Sequence, residues 1–171
     1  MNTGLPLRVT PSPVNPWLGL AGWVALCAIA GAIGAAASVE AKQFYANLDQ
    51  PSWAPPAGVF GPVWTLLYMA MAWAAWLVWR ERGFARASGA LGLFVVQLAF
   101  NALWSWLFFG WHRGALAFAD ILVLLALIVA TVVAFARIRK AAAWLLAPYL
   151  AWVCFATALS YSVWQRNPHA L

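Results

Sequence analysis

The chain has 171 residues, 65% of them hydrophobic and only 8% charged, with a mean hydropathy of +0.81. Soluble domains carry about 25% charged residues, so this chain cannot cover a water-facing surface and reads as an integral membrane protein. Its net charge of +6 does not signify nucleic-acid binding: the basic residues stand in short connections between apolar runs, where they orient a membrane protein and touch anionic headgroups.

Residues 1–16 hold four prolines and one charge, Arg8. They read as a flexible tail rather than a signal peptide, because the basic start is missing and the apolar run that follows is too long. Trp17 to Val39 is the first predicted span and carries no charge. About 20 helical residues at 1.5 Å rise cross ~30 Å of hydrocarbon. Gly31, Ala35 and Ser38 recur on one face of this span. Small residues let helices approach closely in lipid, so that face is expected to pack against neighbours.

Glu40 to Gly58 is the one long connection, with Phe44, Tyr45, Asn47, Asp49 and Trp53 in it. Connections longer than about 12–15 residues are uncommon unless functional or disordered, and this one is too aromatic and proline-rich for a random linker. It runs through PSWAPPAGVFGPVWTLLY at 51–68 into the second predicted span, 59–79. Closely spaced prolines fix φ and remove donors, so Pro51 to Pro56 cannot be helix interior, whereas Pro62 is tolerated in a first turn. Phe60, Trp64 and Tyr68 then share a helix face. Two readings stand: an aromatic lid and wall for a flat apolar ligand, or an interfacial Trp53 with a core Trp64.

Arg80, Arg82 and Arg86 form a short basic loop before the third predicted span, 88–109. Gln97, Asn101, Trp104 and Phe108 fall on one face of it. Two amides are costly against lipid and should face the bundle interior, as interhelical hydrogen bonds or as the polar handle of an aromatic pocket. Residues 110–114 make a tight turn into the fourth span, 115–136, whose only acid, Asp120, reads as a packing or capping group rather than a proton relay. Arg137, Arg139 and Lys140 form a second basic loop, and the fifth span is 143–164. There Trp152, Ala156 and Ser160 share a face one turn after Pro148. Leu159, Tyr161 and Arg166 fit a loose sterol-contact pattern.

The expected fold is therefore an all-α integral membrane protein, a five-transmembrane-helix bundle with a tail at 1–16 and a membrane domain at 17–166. The basic residues predict the N-terminus and both basic loops inside, with the long aromatic loop outside. Cys27 and Cys154 lie in apolar runs and read as small buried hydrophobes. His112 and His169 lie outside the spans and offer no metal-ligand cluster. No phosphate-binding loop, dinucleotide fingerprint or nucleophile elbow occurs. The absence of paired intramembrane charges argues against ion-coupled transport.

Three stretches together resemble the TspO/MBR family of tryptophan-rich sensory and translocator proteins, formerly called peripheral benzodiazepine receptors. They are PSWAPPAGVFGPVWTLLY at 51–68, QLAFNALWSWLFFG at 97–110 and PYLAWVCFATALSYSVWQRN at 148–167, with a weaker echo in ALAFADILVLL at 115–125. The resemblance implies a five-helix bundle, a homodimer in many members, and a pocket under the first loop. It implies protoporphyrin IX or another flat apolar ligand, sterol binding in many members, no required cofactor, and light-dependent porphyrin degradation in some bacterial members. It also implies a bacterial membrane, or the mitochondrial outer membrane in a eukaryote.

Carried over by motif, the ligand-binding positions are Tyr45, Trp53, Trp64, Tyr68, Asn101, Trp104, Phe109, Trp152 and Ala156. Trp64 and Trp152 fall where the photodegrading members place their reactive tryptophans. Leu159, Tyr161 and Arg166 keep the outline of the sterol motif. Two positions depart from the pattern. Trp106 stands where many members have proline, which predicts a straighter end to the third helix. Ser160 stands where many have asparagine, which weakens a hydrogen bond there. A porphyrin would stack on indole and phenol rings, with its propionates at Lys42, Arg166 or Asn101. The readings carried forward are a tetrapyrrole sensor or scavenger with or without light-driven degradation, a sterol or lipid carrier, and a structural membrane subunit.

Overall fold

The computed structural model describes residues 15–171, so the tail, with Arg8, lies outside the described residues except for Asn15 and Pro16. Every regular element among the described residues is helical. Helix α1 (Pro16–Ala37) begins where local chemistry places it. Pro16 has no N–H to leave unpaired at the first helical position, and the Asn15 side-chain oxygen accepts the Trp17 N–H at 3.0 Å. At the other end the Ser38 hydroxyl donates to the Gly34 carbonyl at 2.9 Å.

The long connection is not irregular throughout. Ala41–Asn47 forms a short helix, α2, that buries Tyr45, and Leu48 is buried just after it. Nothing in AKQFYAN breaks a helix, and the prolines that prevent one begin only at Pro51. A 3₁₀ turn at Ala57–Val59 then leads into α3 (Phe60–Ser105).

Helix α3 is in fact two helical arms that meet at Gly83, where φ is 67° and ψ 175°. Only glycine enters that region without strain. Unbroken, the 46 residues would extend about 69 Å, more than twice the ~30 Å hydrocarbon core. Instead the chain folds back: Tyr68 meets Asn101, and Met71 meets Gln97. The arms 60–82 and 84–105 are therefore antiparallel, and the basic loop expected between them contracts to a single non-helical residue.

The second arm does not end straight. Trp106–Gly110 widens into a π-helical turn in which the Trp111 N–H bonds the Trp106 carbonyl at 2.7 Å. This corrects the expectation drawn from Trp106. Without proline the backbone keeps its donors, but it spends them on a wider turn that carries the chain to the left-handed His112, φ 52°, and into α4. The wide turn also brings both Phe108 and Phe109 to Trp104, with ring centres 5.1 and 5.8 Å away. A regular helix would point residue 109 about 100° away from residue 108.

Helices α4 (Gly114–Ala136) and α5 (Lys140–Arg166) complete the bundle, and α5 continues through Pro148. Helix α1 packs on α3, while α4 and α5 pack on α3 and on each other. The core between them holds Phe94, Phe135, Leu146 and Tyr149, all essentially inaccessible. Large apolar side chains such as Leu66, Leu122, Val129 and Trp144 are exposed on the outside. That is the inverse of a soluble protein and fits a lipid-facing surface. α1, α4, α5 and the folded run of α3 are all long and apolar enough to cross a membrane.

Contacts between connections define the two ends. An Arg139–Glu81 ion pair at 3.1 Å joins the two basic connections. At that end Trp17 stacks on Trp76, the Trp76 indole N–H donates to the Pro16 carbonyl at 2.8 Å, and Arg80 sits 4.5 Å over the Trp76 ring. Such an aromatic and cationic girdle suits the interface between hydrocarbon and water. At the opposite end the Asp49 N–H donates to Asn167 Oδ1 at 2.8 Å, and Asn167 Nδ2 donates to the Asp49 carbonyl at 3.0 Å. The first connection is thereby tied to the far end of α5.

Candidate functional site: an aromatic cavity under the first connection

Below that tied connection lies a cavity of about 720 Å³, walled by α1, α2, both arms of α3 and α5. Small-molecule sites typically enclose about 300–1,000 Å³. The small-residue face of α1 makes one wall, and Gly31, Gly34, Ala35 and Ser38 all line the space. A Cβ at Gly31 would stand 3.1 Å from the Tyr68 ring, so close approach and cavity come from the same residues. Phe60, Trp64 and Tyr68 form the facing wall. Trp64 packs 5.6 Å from Tyr68 and 6.2 Å from Tyr149, and Phe60 lies 6.0 Å from Trp152. Trp104, Phe108 and Phe109 close a third side, and Trp152, Ala156 and Ser160 a fourth.

The floor rests on a polar chain, of which Tyr68 and Asn101 line the cavity and Tyr149 and Gln97 lie buried beneath it. The Tyr68 hydroxyl donates to Asn101 Oδ1 at 2.6 Å, and Asn101 Nδ2 donates to Tyr149 Oη at 3.2 Å. The Tyr149 hydroxyl donates to Gln97 Oε1 at 2.7 Å, and Gln97 Nε2 points to Met71 Sδ at 3.9 Å. The two amides do face the interior, but they are occupied. Asn101 therefore serves as a strut joining both α3 arms to α5 more than as a free handle. Tyr149 is the member that sequence reasoning missed. Its signal was its place three residues before Trp152, on the same helix face.

The outer end is different. Tyr45 is buried edge-on to Phe60, ring centres 5.6 Å apart. Burial pushes its phenol above the ordinary tyrosine value of 10.0. Tyr45 Oη, Trp104 Nε1 and Ser160 Oγ are all buried without a hydrogen-bond partner among the described residues. Lys42 stands exposed at the cavity rim.

Of the nine ligand positions carried over by motif, Tyr45, Trp64, Tyr68, Asn101, Trp104, Phe109, Trp152 and Ala156 line this one cavity. Trp53 does not: it is half-exposed and meets Phe155 edge-on at 5.7 Å, beside the cavity rather than over it. The sterol triplet does not converge either. Leu159 lines the cavity, Tyr161 faces outward against Phe118 at 5.2 Å, and Arg166 pairs with Asp49 at 3.6 Å. The rim cation is thus Lys42, not Arg166. Cys27 is buried and lines the cavity, whereas Cys154, expected inside, lies exposed on α5. Asp120 is buried with neither oxygen partnered among the described residues, and no side chain caps the α4 N-terminus, so its capping role is not seen. A second, wholly apolar groove runs outside between the first arm of α3 and α5, past Val63, Leu66, Pro148 and Phe155. Trp152 is the wall it shares with the cavity. No metal-ligand cluster occurs among the described residues.

Apolar helices closed around an aromatic cavity, beneath a tethered connection and above a satisfied polar floor, define an integral membrane protein with an internal cavity of small-molecule size. The profile of the TspO/MBR family matches residues 23–165, and the chain belongs to that family. It is 45% identical to the translocator protein of Homo sapiens over 130 residues, 75% of this chain and 77% of that one. It is 38% identical to the tryptophan-rich protein TspO of Chlorobaculum tepidum over 156 residues, 88% and 97% of the two chains. With the tryptophan-rich sensory protein of Cereibacter sphaeroides it shares 37% over 149 residues, 85% and 92%.

Proposed function

We propose that the cavity binds a flat tetrapyrrole, with protoporphyrin IX as the ligand, and that the protein acts as a membrane sensor or scavenger for it. The observation that carries this reading is the aromatic lining: Trp64, Tyr68, Trp104, Phe109 and Trp152 face one cavity from both α3 arms, the π-turn and α5. A macrocycle offers a broad apolar face, which indole and phenol rings stack on or meet edge-first. In this reading α1, the two arms of α3, α4 and α5 make five crossings, with the basic connections inside and the tethered one outside. In light, bound porphyrin would be the chromophore and oxygen the co-reactant. Trp64 and Trp152 would be the protein's electron donors, and the chemistry itself would be the ligand's.

Titration of the purified protein with protoporphyrin IX tests the reading. Saturable quenching of tryptophan emission is expected, weakened by Trp64→Phe and Trp152→Phe. Illumination in air should bleach the bound porphyrin, and the two variants should slow that bleaching. Wild-type protein that shows no saturable quenching refutes tetrapyrrole binding. A sterol or lipid carrier is the second reading, favoured by the outer apolar groove that shares Trp152 with the cavity. It predicts photo-crosslinking of a sterol probe to Val63 and Ala151, with no porphyrin uptake.

A further inference from the structure

We propose that the outer end of the cavity is a donor subsite, built from Trp104 Nε1, Tyr45 Oη and Ser160 Oγ, that seats a carboxylate or carbonyl oxygen of the ligand. This deepens the tetrapyrrole reading and rests on it. Three observations carry it. The first is the contrast between the two ends of one cavity. At the floor, Tyr68, Asn101, Tyr149 and Gln97 satisfy one another. At the outer end, three polar atoms on three different elements, α2, α3 and α5, find no partner among the described residues. Buried polar groups in folded proteins are almost always paired, and three orphans lining one cavity mark where a partner is missing.

The second observation is burial. Tyr45 is 6% and Ser160 2% exposed, and both line the cavity. Both hydroxyls lie within the protein rather than on its outer surface. The third is chemical. An indole N–H can only donate, so whatever meets Trp104 must bring an acceptor. Tyrosine and serine hydroxyls donate equally well. A carboxylate or carbonyl is therefore selected over an ammonium group, which has no lone pair to offer Trp104. Lys42 at the rim, on the same short helix as Tyr45, adds a positive charge that favours the carboxylate. The ligand thus enters the cavity with its apolar part toward Trp64 and Tyr68 and its oxygen-bearing edge under the first connection.

Three porphyrin probes separate this inference from the reading it rests on: protoporphyrin IX with free carboxylates, its dimethyl ester with neutral carbonyls, and etioporphyrin with alkyl groups only. Wild-type protein should bind them in that order. Trp104→Phe and Ser160→Ala should each weaken protoporphyrin IX by roughly tenfold, the scale of one charge-assisted hydrogen bond. Their effect on etioporphyrin, which brings no acceptor and feels only the smaller lining, should be several-fold weaker. Lys42→Gln should weaken the free acid and spare the ester. Tyr45→Phe and Ser160→Ala each remove a single oxygen, and melting temperatures in micelles verify folding, so the comparison does not depend on Trp104→Phe alone. Equal binding of all three probes, or equal losses for etioporphyrin, overturns the donor subsite and leaves tetrapyrrole binding standing. Failure of every porphyrin to bind overturns both.

Discussion

Tyr149→Phe deletes one oxygen at the centre of the polar chain beneath the cavity and keeps the ring. That oxygen donates to Gln97 at 2.7 Å and accepts from Asn101 at 3.2 Å. Its removal strands Gln97 Oε1 and one Asn101 amide hydrogen on residues that are 1% and 5% exposed. Interhelical hydrogen bonds in membrane proteins average about 0.6 kcal/mol and reach about 1.7. A stranded buried group costs ~1–3 kcal/mol. Two bonds and two stranded groups therefore predict a loss of about 1–3 kcal/mol. Tyr68→Phe supplies the comparison. It removes only the terminal 2.6 Å bond to Asn101 Oδ1, on a ring that already borders the cavity, so about 0.6–1.7 kcal/mol is expected. Both variants share Asn101, and the double variant should lose less than the two single losses together. Equilibrium unfolding in mixed micelles, followed by near-ultraviolet dichroism, reads all four proteins. A Tyr149→Phe loss below about 0.5 kcal/mol, or a larger loss for Tyr68→Phe, would refute the account of the floor as a closed polar chain.

Gly83→Ala forces a Cβ into a backbone region that only glycine occupies freely, and should cost about 1–3 kcal/mol in the same unfolding measurement. Asn167→Ala removes both bonds to Asp49; amide exchange over residues 41–58 should accelerate while exchange in α4 stays unchanged. Burial raises the Tyr45 phenol, so its neutral form is the one the fold favours. The stability this contributes is present below the ordinary value near pH 10 and is lost as pH climbs through the raised one. Tyr45→Phe should therefore flatten the alkaline fall in melting temperature, and an unchanged alkaline profile would contradict the burial of that hydroxyl.

The helical part of the fold was legible because lipid leaves few alternatives. Apolar runs of sufficient length must satisfy their own backbone groups, and helices do so within one segment. The cavity was legible where its residues repeat at helical spacing, as Phe60, Trp64 and Tyr68 do, or Trp152, Ala156 and Ser160. Three features escaped because they depend on what the chain meets rather than on its period. The short helix α2 has no apolar repeat of its own and is held by burying Tyr45 and Leu48. A reversal between the second and third spans was expected at the basic loop, but not that it would narrow to the single residue Gly83. The π-turn at Trp106–Gly110 follows from the chain's need to reach His112 and α4. The sterol triplet is not gathered at the cavity for the opposite reason. A pattern with elastic gaps ignores the helix period, and α5 sends Leu159, Tyr161 and Arg166 to different surroundings.

The two bonds between Asp49 and Asn167 couple more than two loops. Asn167 caps the helix that carries Trp152, Ala156 and Ser160, while Asp49 follows the short helix that carries Lys42 and Tyr45. The wall and the roof of the cavity are thus joined through the Asn167 amide, beside the Arg166–Asp49 ion pair. Coupling of this kind is reciprocal. Whatever factor a ligand adds to the closing equilibrium of the roof, the closed roof returns as the same factor in affinity. Slower amide exchange at residues 41–58 on filling the cavity and weaker binding by Asn167→Ala would then be two readings of one free energy, and their agreement can be checked without knowing which ligand the cell supplies.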